Sequence, residues 1–378
     1  MPSTNKIFLL SYEYPPDIGG AGIVASMVVE ILGKLGHDVF VITKRNQKRI
    51  ADQVRNLYQI HVLPKIYPLQ FLLESLRRGV SSSEYIILND VAGFLVGGIF
   101  FTRALQKKCI LYMHGGEIDE LFIHPSFLNR LIGFSSRMFR LLKRCKRIIY
   151  VSDFYKNKFL SYFHDESLSE KSVVIHNCYN KDVFYRSTTN LRSLYGISSN
   201  AILLLSAGRI VKGKGYIHML HIFADLIGHG CDCRWFIIGT GDQLPIIRSE
   251  AARLKVLSKI IFLTQIPRDT LKEYYSSVDL FWLLSDLEES FGLVFIEAAA
   301  CGTPSLGRNR YGMRESIGDK VSGFLVNSDH ECFRIIQSRT FTELQISSIL
   351  EFAHSFQMCK MVPAISDIFS HNDNQYTN

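Results

Sequence analysis

A strand, a glycine-rich loop, a helix and a second strand open the chain, and this order most narrows the folds available to it. Residues 7–11 form a short apolar strand and residues 13–22 (EYPPDIGGAG) a turn-rich loop. Ile23, Met27, Glu30, Ile31 and Lys34 then fall on a helical period ending at Gly36, and residues 39–43 form the next strand. A βαβ unit of this kind joins parallel strands by a right-handed crossover, so its first loop opens at the carboxyl edge of the sheet, where ligands bind. The same order restarts at Ala201: strand 202–206, loop 208–215 (GRIVKGKG), helix 216–227, and strand 234–238 ending in Gly239-Thr240-Gly241. Helix 269–278, strand 280–284 and helix 291–301 come next. With 378 residues, 47% of them hydrophobic, there is material for two cores. Two doubly wound domains are therefore expected, 1–186 and 200–350, joined through the polar stretch 186–200. The chain from about Phe341 reads helical and passes into a polar tail, 371–378.

Neither loop matches GxGxxG or ends in GK[ST], which disfavours a dehydrogenase and an ATPase. The first sets Gly19, Gly20 and Gly22 at a strand-to-helix junction, where backbone N–H groups and the helix dipole can meet an anion; a ligand-free tight turn is the plainer alternative. The second carries Arg209 and Lys214, which can converge on one diphosphate, the Arg as a bidentate fork and the Lys as a point charge. A solvated basic loop is the other reading, and Lys212 is the cation best given to solvent.

Residues 288–297 (EESFGLVFIE) hold two acids, Glu289 and Glu297, around a glycine turn. A place at the helix start accounts for Glu289. It does not account for Glu297, whose carboxylate in an apolar helix needs a partner or a ligand hydroxyl. As a glycoside hydrolase pair the two would lie about 12 Å apart along a continuous helix, beyond the ~5 Å or ~6.5–9.5 Å such pairs require, unless the glycine turn folds Glu289 back. His114 ends the apolar run 110–113 and precedes Gly115-Gly116, where a sheet presents ligands; a satisfied strand-end histidine is the alternative.

The net charge of +8 is unevenly spread: residues 1–190 hold 25 Lys and Arg against 16 acids, the remainder 18 against 19. Such a balance admits nucleic acid, anionic membrane or phosphorylated small molecules. No basic-and-aromatic nucleic-acid module is present, so nucleic acid is not expected. Residues 126–147 read as one helix in which Phe127, Leu131, Phe134, Met138 and Leu141 run beside Arg130, Arg137, Arg140, Arg144 and Arg147. That pattern suits a helix lying on an anionic membrane and equally a core-packed helix with a solvated basic face. Arg77-Arg78 and the stretch 44–49 add positive charge to the same half. The longest charge-free apolar stretch, 91–102, falls short of the roughly 20 residues of a membrane span, and no secretory signal follows Lys6. A cytoplasmic protein is expected, with the inner face of the plasma membrane as a candidate site of peripheral contact. Eight scattered cysteines without CxxC disfavour a zinc site or disulfides and fit reduced thiols.

In their order, these segments resemble the retaining glycosyltransferases of family 4 (glycosyltransferases group 1). EYPPDIGGAG resembles the family's N-terminal glycine loop, His114-Gly115-Gly116-Glu117 its His-Gly motif, and Val151-Ser152 a strand end. Ile175-His176-Asn177 with Val183-Phe184 resembles its Asn-Gly-Val-Asp segment, Gly208-Arg209 with Lys214-Gly215 its phosphate loop, Ile238-Gly239-Thr240-Gly241 its next strand end, and Glu289 to Glu297 its E-x7-E motif. The resemblance implies an α/β protein of the GT-B fold, two Rossmann-like doubly wound parallel-sheet domains facing a central cleft, with a terminal helix, about 353–370, returning to the first. It implies sugar transfer with retention from a UDP-, GDP- or ADP-sugar to a glycan or lipid-linked acceptor in cell-surface polysaccharide, lipopolysaccharide or glycolipid synthesis. No cofactor or metal is expected.

By the same resemblance Arg209 and Lys214 bind the diphosphate, Glu297 the ribose hydroxyls, and Glu289 with the N–H groups of Phe291, Gly292 and Leu293 the sugar and phosphate. His114 contacts the donor sugar, Gly19 and Gly20 approach phosphates or acceptor, and Gly239 and Ile266 border the nucleotide. His114, Glu289, Arg209 and Lys214 are the catalytic candidates, acting by electrostatic stabilisation of the departing nucleotide. The chain departs from the pattern at Asn177-Cys178-Tyr179-Asn180, at Thr264-Gln265-Ile266 beside the base, and at Tyr311, where a glycine is usual. A nucleotide-sugar 2-epimerase of the same fold and a non-catalytic sugar- or lipid-binding scaffold remain alternatives.

Overall fold

The computed structural model describes residues 4–15, 19–45, 56–63, 66–125, 127, 130, 133–264 and 266–370. Pro16 to Ile18 of the first loop, residues 46–49 and much of 126–132 in the basic segments, Gln265, and the tail 371–378 lie outside them. Two compact units divide the chain, 1–177 with 359–378, and 178–358.

The first unit is built on seven parallel strands: β1 (Lys6–Leu10), β2 (Asp38–Lys44), β3 (Asn56–Ile60), β4 (Tyr85–Leu88), β5 (Cys109–Met113), β6 (Arg147–Tyr150) and β7 (Ser172–Val174), in the order 3-2-1-4-5-6-7. The second has six: β8 (Ile202–Ala207), β9 (Cys233–Ile238), β10 (Ile260–Leu263), β11 (Leu280–Leu283), β12 (Ser305–Arg308) and β13 (Gly323–Val326), in the order 10-9-8-11-12-13. β4, β5, β8 and β11 are buried throughout, as strands covered by helices on both faces must be. Strand order reverses between β1 and β4 in one sheet and between β8 and β11 in the other, and loops leaving the carboxyl ends there diverge to form a crevice.

Eight of the helices border the loops and surfaces considered below: α1 (Gly20–Lys34), α2 (Tyr67–Arg77), α3 (Val91–Ile99), α4 (Phe134–Arg144), α5 (Asp153–Phe163), α6 (Tyr216–Gly228), α7 (Leu293–Ala300) and α8 (Met358–Phe369). The apolar stretch that begins at Val91 is the core helix α3. A Cβ on Gly97 would lie 2.5 Å from Leu88 Cδ1, so the glycine is what lets α3 sit on β4. Asp90 caps α3, its Oδ1 accepting from the Gly93 N–H at 3.1 Å.

Three expectations are corrected. Polar stretch 186–200 is not a free junction: the Ser276 hydroxyl accepts from the Ser187 N–H (2.9 Å), and Arg192 pairs with Asp279 (2.6 Å), which ties the segment to the second unit. The terminal helix of the first unit starts at Met358, and Ala353 belongs to a separate helix, Ile346–His354, of the second. Residues 126–147 are not one helix, because Gly133 in the left-handed region precedes α4 and Arg147 already opens β6. Phe134, Met138 and Leu141 of α4 are fully buried, so its apolar stripe faces the core and only its basic side meets water.

Candidate functional site

In the first unit the loops after β1, β4 and β5 are bonded into one network at the carboxyl edge. Asp90 Oδ2 accepts from the Ser11 hydroxyl (3.1 Å), the Tyr12 N–H (2.5 Å) and the Glu13 N–H (3.3 Å), which pins the start of the glycine loop. Burial raises the Asp90 pKa, against the pull of these donors. Gly22 has a close-approach role, since its Cβ would come within 2.9 Å of the Glu13 backbone. Gly19 caps α1 in extended geometry and lies under the Glu13 carboxylate, whose Oε2 would meet a Cβ there at 1.8 Å. The Glu13 carboxylate thus lies beside the N-terminus of α1.

His114 sits between neighbours that fix its protonation. Asn89 Nδ2 donates to the Ala21 carbonyl at 3.1 Å, which can only accept, so Asn89 Oδ1 is the atom facing His114 Nε2 at 3.0 Å. Nε2 therefore carries the proton and Nδ1 presents a lone pair. Burial pushes the His114 pKa down to about 3, which keeps the ring neutral, and the ring stacks on Tyr112 at 4.9 Å. Glu117 braces the loop from below, accepting from the N–H groups of His114 and Gly115 at 2.7 Å each and from the Tyr155 hydroxyl at 2.6 Å.

In the second unit the loops after β8 and β11 meet at the switch point. Lys214 Nζ lies 2.5 Å from Glu289 Oε1, and both side chains are only 16% exposed. The loops are zipped by the Gly213 carbonyl, which accepts from the N–H groups of Asp286 (2.6 Å) and Leu287 (3.1 Å). Gly215 is held at φ +79° with its α-carbon so close to Leu284 that a Cβ would lie 2.0 Å from the Leu284 carbonyl oxygen. Gly239 serves the same end, its Cβ position falling 1.9 Å from the Gly208 carbonyl oxygen.

Arg209 is exposed and has no ion pair among the described residues. Gly292, at φ +94°, starts α7 just after buried Phe291, and the first N–H groups of α7, including that of Leu293, have no intrahelical acceptor. Two buried hydroxyls close to this pair, Tyr216 and Ser285, have no hydrogen-bond partner among the described residues; burial and the Glu289 carboxylate together raise the Tyr216 pKa.

Glu297 is set apart from this group. It is 1% exposed on α7, its Oε1 pairs with Arg268 Nη2, and the Tyr275 hydroxyl donates to its Oε2 at 3.4 Å. Burial raises its pKa while Arg268 pulls it down. The charge that seemed to need a ligand has a partner in the fold. Ile266 is half-buried in the loop after β10.

Asn89, Asp90 and Arg268 belong to no sequence motif, and the His-Gly motif gives Glu117 no role. Asn89-Asp90 is signalled faintly, as a polar pair directly after an apolar strand. Arg268, 29 positions before Glu297, gives no sequence sign of its partner.

Two family descriptions account for most of the chain in order: Glycosyltransferase Family 4 over residues 18–183 and Glycosyl transferases group 1 over 187–332. N-acetyl-alpha-D-glucosaminyl L-malate synthase of Bacillus anthracis is 26% identical over 82% of this chain and 81% of its own length. Alpha-monoglucosyldiacylglycerol synthase of Streptococcus pneumoniae is 24% identical over 86% and 76%. Among solved structures, sucrose-phosphate synthase from Thermosynechococcus elongatus superposes with a TM-score of 0.80 at 18% identity over 97% of this chain and 98% of that one. Anabaena HepE, solved in complex with UDP and glucose, superposes at 0.78 with 19% identity over 96% and 98%. The two parallel sheets, the paired loops at their switch points and these likenesses together place the chain in the family 4, group 1 glycosyltransferases, enzymes of the GT-B fold.

Proposed function

We propose that the enzyme moves a sugar, with retention, from a nucleoside-diphosphate sugar to a glycan or lipid-linked acceptor in cell-surface glycan or glycolipid synthesis. The observation that carries this reading is the Lys214–Glu289 pair at the β8/β11 switch point, beside exposed Arg209 and the N-terminus of α7. Negative charge grows on the diphosphate as the sugar departs. Lys214, held by Glu289, together with Arg209 on the same loop and the first N–H groups of a helix N-terminus, stabilises that charge. Glu289 orients Lys214 and leaves a second carboxylate oxygen for a sugar hydroxyl. His114 suits a hydroxyl too, because its neutral ring offers Nδ1 as an acceptor. This assignment gives the cation role to Arg209 and Lys214 without a resident metal. Support for a lipid-linked acceptor comes from the relative named as a diacylglycerol glycolipid synthase.

Transfer from UDP-, GDP- and ADP-sugars, followed by NMR of the anomeric proton in donor and product, tests the reading. Lys214→Ala should lower kcat/KM by about 10²–10³ in a folded protein, Glu297→Ala should also impair transfer, and a chelator should leave the rate unchanged. Full transfer by both variants, an inverted product, or isomerised donor without acceptor would each sink it.

A further inference from the structure

One helix of the first unit is apolar on its outer face as well as on the face it buries. On α2, Leu69, Leu73 and Leu76 are 44%, 57% and 48% exposed, and Leu63 and Ile66 just before it are 49% and 47% exposed. Positions 66, 69, 73 and 76 fall on one stripe of a 3.6-residue helix, while Phe71 and Ser75 on the other side are fully buried. Scattered exposed leucines are ordinary, but a continuous stripe over three turns marks an interaction surface.

Its surroundings name the partner. Arg77, 75% exposed, ends the stripe, Arg78 follows it, and Lys44 Nζ lies 4.6 Å from the centre of the Tyr12 ring that Tyr67 meets, against Glu74 as the single acid of α2. An apolar stripe flanked by cations fits an anionic lipid surface, whereas a second copy would bring like charges face to face. α4, the helix whose sequence suggested a membrane face, has its apolar side in the core. The start of α2 also touches the candidate site: the Tyr67 ring meets that of Tyr12, on the loop after β1, at 5.3 Å.

We infer that α2 docks the first unit on an anionic membrane, Leu69 and Leu73 entering the acyl boundary and Arg77 meeting lipid phosphates. The carboxyl edge of the first sheet then lies next to the lipid surface, where a lipid-linked acceptor is presented. This rests on and deepens the proposed lipid-linked acceptor, yet its test reads binding alone, so it can fail while sugar transfer stands and hold while transfer fails.

The full chain is sedimented with phosphatidylcholine vesicles with and without phosphatidylglycerol, and its size is measured without vesicles. The expected result is binding to the anionic vesicles, weakened by salt. The Leu69→Glu/Leu73→Glu double variant should cut the bound fraction about tenfold or more and Arg77→Glu about fivefold or more, both with unchanged circular dichroism and melting. Absence of binding to anionic vesicles overturns the inference, as does undiminished binding of the folded double variant. So does a dimer that the double variant dissociates in the absence of vesicle binding, which would make a second copy the occupant.

Discussion

His114 is neutral because burial has lowered its pKa from 6.5 to about 3, and the sign of this shift makes a prediction. A group with a depressed folded value contributes stability above its unfolded pKa and loses it as pH falls through the window from 6.5 toward 3. Asp90, Glu117 and Glu297, all raised by burial, act oppositely: they favour the fold at low pH and cost stability as pH rises through the carboxylate range. These acids are common to wild type and His114→Gln and cancel in the difference between them. Urea unfolding of both proteins should show the wild type losing about 2 kcal/mol relative to the variant between pH 7.5 and pH 5; a constant difference would refute a neutral His114. Glu117→Gln should cost about 2 kcal/mol, because an amide cannot accept from the His114 and Gly115 N–H groups and the Tyr155 hydroxyl together. His114, Arg209, Lys214 and Glu289 stood out in the sequence as candidates, being charged or titratable residues in the loops that follow apolar strands. The bracing roles of Glu117 and Asn89 were not, since their task is to hold neighbours, and an acid or amide in a loop looks the same whether or not it braces one.

At the scale of the element, two glycines of α6 separate a functional turn from an ordinary one. Gly215 before the helix has φ +79° and a carbonyl oxygen 2.0 Å from any Cβ, whereas Gly228 at its far end has nothing within 4 Å. Gly215→Ala should destabilise by about 2 kcal/mol or more and displace the loop that carries Lys214; Gly228→Ala should be neutral or stabilise by up to about 1 kcal/mol. Thermal melts and donor KM of the two variants check this, and a harmless Gly215→Ala would show that the loops after β8 and β11 are not packed as described. The strand-loop-helix order of α1 and α6 was readable from apolar period and glycine position. The length of α4 was not: residues 134–144 and 147–150 share one apolar-and-basic texture, and the break at Cys145 follows from pairing β6 with β5 rather than from local preference.

Across the whole molecule, the end of the chain stabilises its beginning. The Phe369 carbonyl accepts from Asn5 Nδ2 at 3.1 Å, and its ring meets Tyr85 edge-on at 5.0 Å, with only 2% of the residue exposed. Phe369→Ala should therefore cost about 3 kcal/mol in chemical denaturation; a change below about 1 kcal/mol would mean that α8 is not part of the first core. The sequence by itself determined the two parallel-sheet units, the glycine loops that follow their strands and the family, because apolar period and glycine punctuation are local properties. Only the tertiary structure decided that Lys214 is partnered by Glu289 and Glu297 by Arg268, that residues 186–200 belong to the second unit, and that α2 rather than α4 shows its leucines to water. Those are contacts between segments far apart in the chain, and no local pattern encodes which of two amphipathic helices buries its leucines in the core.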